Sequence, residues 1–106
     1  MTVTKKQLGS SNAYVLTYTT PETGLYMREL VSYQTRVLRV RYYDMDNISI
    51  DVCGDAFFAS ATTRGHVSRF CNAFVNGWGV DYKVLKQVYY GCFAPNGVNV
   101  NVCEVL

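Results

Sequence analysis

The sequence predicts an α+β domain: a small, mostly antiparallel sheet of four to six strands packed against one principal helix at about residues 62–76. Three observations predict it. Residues 62–78 carry helical periodicity, with Val67, Phe70, Cys71, Phe74 and Trp78 at three- and four-residue steps. Several shorter segments alternate apolar and polar side chains, as half-buried strands do. With 106 residues, 49% of them hydrophobic and 17% charged, the chain is a single folded domain, 1–106, with little left for a second lobe.

Taken in order, residues 1–11 are polar, with Lys5, Lys6 and a Gly-Ser-Ser run, and are expected to be loosely held. Residues 12–19 set Tyr14, Leu16 and Tyr18 against Val15, Thr17 and Thr19, a strand pattern. Thr20, Pro21 and Gly24 mark a turn. Residues 28–42 read as extended, with Leu38, Val40 and Tyr42 on one side and Val37, Arg39 and Arg41 on the other. Ile48, Ile50 and Val52 alternate with Ser49, Asp51 and Cys53. A hairpin across residues 43–47 places Tyr42 opposite Ile48, Val40 opposite Ile50 and Leu38 opposite Val52, and on its other face Arg39 opposite Asp51.

Residues 56–61 are expected to add a short strand leading into the helix. Thr62 or Thr63 can accept from the orphan amides at its start, and Asn76-Gly77 supplies left-handed residues for its end. Arg64, Ser68, Arg69 and Asn72 fall on its polar face. Residues 82–90 fit both periods: Tyr82, Leu85, Val88 and Tyr89 a helix, Val84, Lys86, Val88 and Tyr90 a strand. Beyond the turn of Pro95, Asn96 and Gly97, Val98, Val100 and Val102 alternate with Asn99, Asn101 and Cys103 in a last strand.

A net charge of +2 neither marks a strongly nucleic-acid- or membrane-binding surface nor allows an acidic mimic of DNA. No apolar run approaches the roughly eighteen residues of a membrane span, and no signal-peptide core follows Met1, so the expected location is the cytosol. Nine tyrosines favour an interface, since Tyr offers broad contact area with few rotors and a polar tip.

Catalytic machinery is not legible. His66 is the sole histidine, has no neighbouring Cys or Asp in a triad-like arrangement, and is expected to hold a surface or capping role. Gly77-Trp78-Gly79 follows a helix, so it stops one and does not cradle phosphate. Asp44, Asp46, Asp51 and Asp55 lack the oxygen ladder of a calcium loop and read as a solvated turn plus an ion pair of Asp51 with Arg39. Arg36, Arg39 and Arg41, with Tyr42 and Tyr43, form a basic and aromatic strand of the kind that can hold single-stranded nucleic acid. The four cysteines, Cys53, Cys71, Cys92 and Cys103, leave two readings open. In one, Cys71 is a small core residue and the others are incidental. In the other, the fold gathers all four around one structural Zn2+, their number matching a tetrahedral site although no Cys-x-x-Cys knuckle is present.

Two segments carry a resemblance. Ser32, Tyr33, Thr35 and Val37 stand in the pattern Ser-Tyr-x-Thr-x-Val; Ser60, Thr62, Thr63 and His66 stand in Ser-x-Thr-Thr-Ser-x-His, with Arg64 in place of the serine. Together they resemble a small family of phage proteins, which implies phage origin. Residues 70–78, from Phe70-Cys71-Asn72 to Asn76-Gly77-Trp78, are similar to the helix end of small anti-CRISPR proteins from phages of Gram-positive bacteria. That resemblance implies a stoichiometric inhibitor, with no enzymatic step, of a type II RNA-guided effector nuclease in the cytoplasm of the infected bacterial host. Such an inhibitor blocks target-DNA binding or activation by occupying a surface of the nuclease. The expected partner contacts flank the hairpin: Arg39, Arg41, Tyr43 and Asp44. The alternative is a phage accessory protein that binds nucleic acid through the Arg/Tyr strand.

Overall fold

In a computed structural model that describes residues 1–9 and 12–106, six strands form one sheet in chain order. Strands β1 (Thr2–Gln7), β2 (Ala13–Thr20), β3 (Gly24–Ser32), β4 (Thr35–Tyr42) and β5 (Ile48–Cys53) make an antiparallel meander. Strand β6 (Val98–Cys103) lies parallel to β5. A parallel neighbour needs a crossover, and here the crossover carries every helix: α1 (Asp55–Phe58), α2 (Ala61–Phe74), a 3-10 turn at Asn76–Trp78, and α3 (Tyr82–Tyr89). All of them fall on one face of the sheet and leave the other open.

The predicted hairpin forms in the predicted register: Leu38 pairs Val52, Val40 pairs Ile50, Tyr42 pairs Ile48, and Arg39 pairs Asp51. Its apolar row continues sideways through Leu30 and Val15 on one flank and Val98 and Val100 on the other. Against that row pack Phe57, Val67, Phe70, Cys71, Val80 and Leu85, all buried. Each buried Phe, Leu or Val removes enough apolar surface from water to contribute roughly 1.5–3 kcal/mol.

Several expectations are corrected. Residues 1–11 are not uniformly loose: Thr2–Gln7 pairs β2 along its length, while Ser10 and Ser11 lie outside the described residues. Every β1 side chain is exposed, so the strand has no apolar alternation to announce it and rests on its backbone ladder. The stretch expected as a short strand at 56–61 opens with helix α1. Ala56 and Phe57 of this helical turn are buried while Phe58 is exposed. The extended stretch 28–42 is two strands, joined by Tyr33 and Gln34 at φ 49° and 68°. Positive φ at both central residues is what a two-residue hairpin needs, but neither residue is a Gly, Asn or Asp that would have marked it. Val37, expected beside Arg39 and Arg41, is the extra residue of a bulge between the Val31–Arg36 and Leu30–Leu38 pairs and is buried.

The cap of α2 is Ser60, whose Oγ accepts from the Thr63 amide at 3.0 Å, and not Thr62 or Thr63. The left-handed residue at its far end is Gly79 (φ 76°), beyond the 3-10 turn, and not Asn76 or Gly77. The ambiguous segment after Asp81 is helical: Asp81 Oδ1 accepts from the Val84 amide at 2.8 Å, Leu85 is buried, and Tyr82 and Tyr89 pack their rings on Phe57. No helix among the described residues is long and apolar enough to cross a membrane.

Candidate interaction surface

Alternation sends half of each strand's side chains to the open face. From β2 come Tyr14, Leu16 and Tyr18; from β3 Met27 and Glu29; from β4 Arg36, Arg39 and Arg41; from β5 Ser49 and Asp51; from β6 Asn99 and Asn101. Across the middle runs a continuous polar row. Glu29, only 2% exposed, accepts from Arg39 Nε at 2.9 Å and from the Tyr18 hydroxyl, with Arg36 Nε at 3.5 Å. Asp51, 8% exposed, accepts from Arg41 Nη1 at 2.7 Å and from Asn101 Nδ2 at 3.1 Å, and Arg39 Nη1 stands 3.9 Å away. Arg39 thus bridges two carboxylates on the strands either side of it.

The electrostatics follow from this placement. Glu29 and Asp51 are sunk between strands, and guanidinium groups, a phenol and an amide donate to their oxygens. The Tyr18 hydroxyl, donating to Glu29, holds its proton more tightly than a free phenol does. The three guanidinium groups are each tied to a carboxylate, Arg36 and Arg39 through Nε and Arg41 through Nη1, while their side chains stay partly in water. On this face Lys5, Arg36, Arg39 and Arg41 outnumber Glu29 and Asp51, and Lys5 lies 4.1 Å above the Tyr14 ring.

Of the four expected contact residues, Arg39 and Arg41 come together in this row. Tyr43 and Asp44 sit apart from it, in the loop between β4 and β5. Tyr43 is exposed and lines a shallow recess with Asn47, Gly97 and Asn99. Asp44 braces the loop: its carboxylate accepts from Asn47 Nδ2 at 2.9 Å and from the Asp46 amide at 2.8 Å, which holds its pKa below the ordinary value. Glu29, Tyr18 and Asn101 were missed in the sequence. The available signal was the parity of their strands, once the Arg39–Asp51 register was known.

The four cysteines are all free thiols at different depths. Cys53 and Cys103 are register neighbours at the ends of β5 and β6, Cys71 lies in the core, and Cys92 is exposed after α3. Among the described residues, no three or more His, Cys, Asp or Glu side chains are grouped to hold a metal. Burial pushes the Cys71 thiol up to about 12 and raises that of Cys53. Among the described residues the four cysteines thus do not stand as one group.

His66 is not at the surface. It is 5% exposed, and its Nδ1 lies 2.8 Å from Ser32 Oγ, which also meets Thr63 Oγ1 at 3.0 Å. Burial, then the nearby Arg69 charge, lowers its pKa. A serine beside a histidine is the geometry of an activated nucleophile, but Ser32 is 2% exposed and so shut off from solvent. The cluster ties α2 to β3 by satisfying buried polar groups. Compared with family models, curated proteins and solved structures, the chain shows no significant match to any of them.

Proposed function

We propose that this protein is a stoichiometric binding module that performs no chemistry of its own and whose recognition surface is the open face of its sheet. The observation that supports this reading is the arginine row: Arg36, Arg39 and Arg41 anchored on Glu29 and Asp51, next to Tyr14 and Tyr18, on a face that no helix covers. Partly exposed arginines and tyrosines held in place lose little entropy on binding, and both residue types are enriched at energetically dominant interface positions. The resemblances of residues 31–37, 57–70 and 70–78 supply the partner: a type II RNA-guided effector nuclease in the bacterial host cytoplasm, with target-DNA binding or activation blocked by occupation of its surface. Size-exclusion chromatography of the purified protein with such nucleases, with and without guide RNA, tests this. A stable complex that stops target cleavage is expected, and its dependence on guide identifies the blocked step.

A second reading draws on the cationic excess of the same face. Lys5 over Tyr14 and the arginine row beside Tyr18 fit a single strand of nucleic acid, with phosphates on the cations and bases on the rings. Salt separates the two readings: affinity for a nucleic acid falls steeply and linearly on a log–log plot against salt, in proportion to the phosphates neutralised.

A further inference from the structure

The helix side of the sheet holds a crevice that the open-face reading does not use. Beside the last turn of α2, at Ala73 and Phe74, part of the helix side of β1 and β2 is left uncovered. The gap is about 450 Å3, floored by Thr4 and Lys6 of β1 and Val15 and Thr17 of β2, roofed by Ala73 and Phe74, and closed at its inner end by Arg28. That volume lies within the range of small-molecule sites, roughly 300–1,000 Å3.

Arg28 is the unusual member. Its neighbour in sequence, Glu29, points to the opposite face, and among the described residues no carboxylate pairs with Arg28. The guanidinium lies 4.3 Å from the Phe74 ring and 5.4 Å from that of Tyr42, and Nη1 donates to the Tyr42 hydroxyl at 3.2 Å. Its Nε is buried and has no hydrogen-bond partner. Only Nε is shut off from solvent; the residue as a whole is partly exposed and lines the crevice, so its guanidinium stands there with no carboxylate partner among the described residues, open to an arriving anion. Lys6 adds a second cation, no acidic side chain lines the crevice, and Val15, Ala73 and Phe74 make its body apolar.

We propose that this crevice binds a carboxylate-headed amphiphile, with the carboxylate on Arg28 and Lys6 and the alkyl chain between β2 and the end of α2. A carboxylate suits a guanidinium and an ammonium held side by side, because hydrogen bonds between charged donors and a carboxylate are the strong ones. Because Arg28 faces away from the arginine row, this site stands or falls independently of the proposed partner.

Isothermal titration of the intact protein with decanoate, below its micelle concentration, tests the site, with decanol as the neutral control. One decanoate per chain is expected, with decanol at least tenfold weaker and Lys6→Glu, on a wholly exposed strand, several-fold weaker for decanoate. Arg28→Met should lose binding at least tenfold. Should that variant fail to fold, Ala73→Trp, which fills the crevice from an exposed position, is expected to abolish binding instead. Absence of saturable decanoate binding would overturn the site. So would decanol binding as tightly as decanoate, or undiminished binding to folded Arg28→Met or Ala73→Trp.

Discussion

At the residue scale, Glu29 decides how the open face is held. It is buried, yet its partners are arginines whose side chains keep 24% (Arg39) and 50% (Arg36) of their exposure, so water tempers the pairing. A double-mutant cycle of Glu29→Gln and Arg39→Met, read by denaturant unfolding, should give a coupling of roughly 0.5–3 kcal/mol. Zero coupling would mean that the row is surface decoration. His66 gives a second residue-scale prediction. Its folded pKa lies below the ordinary 6.5, so below pH 6.5 the unfolded chain takes up a proton that the folded chain resists. Stability is therefore fully present above 6.5 and lost as pH falls through the folded value. The denaturant midpoint should drop between pH 7 and 5, and His66→Gln should flatten that drop. Third, Cys92 and Cys103 should react with a thiol reagent in the native protein while Cys53 and Cys71 react only on unfolding, and purified protein should hold well under one zinc per chain.

At the element scale, the turn between β3 and β4 stores strain. Gln34 at φ 68° and Tyr33 at φ 49° occupy the left-handed region that costs an ordinary L-residue roughly 1–2 kcal/mol. Gln34→Gly should therefore raise stability by about 1 kcal/mol in chemical denaturation. An unchanged or lowered midpoint would show that Gln34 makes compensating contacts. The same turn shows where the sequence was silent. The hairpin of β4 and β5 was legible because both of its faces agree, apolar pairs on one and Arg39 with Asp51 on the other. The β3–β4 turn was not, since Tyr and Gln carry no turn chemistry. Strand β1 was not either, since a wholly exposed edge strand needs no apolar alternation. Helix α1 escaped because four residues are too few to display a helical period.

At the scale of the whole molecule, one long crossover from β5 to β6 determines which face is core and which is free. That asymmetry was only half readable. Apolar parity predicts a covered side, but the polar row on the far side emerges only when Glu29, Arg39, Asp51 and Asn101 are brought into line by strands distant in sequence. Strand alternation predicted Arg39 and Arg41 on one face, where the structure has them, and it sets Tyr43 and Asp44 apart in the neighbouring loop. The edges differ as well. Strand β1 carries Lys5 and Lys6, charges that discourage strand addition, whereas β6 carries none.

On the function proposed above, the open sheet face is what a partner nuclease meets. The most direct measurement is co-elution of the protein with a type II RNA-guided nuclease, run beside Arg36→Glu, a substitution at the half-exposed end of the row whose fold is checked by circular dichroism. A stable complex is expected for the natural chain, with at least a tenfold loss of affinity for the folded variant. A complex that tolerates Arg36→Glu unchanged, or no complex with any such nuclease, would contradict it.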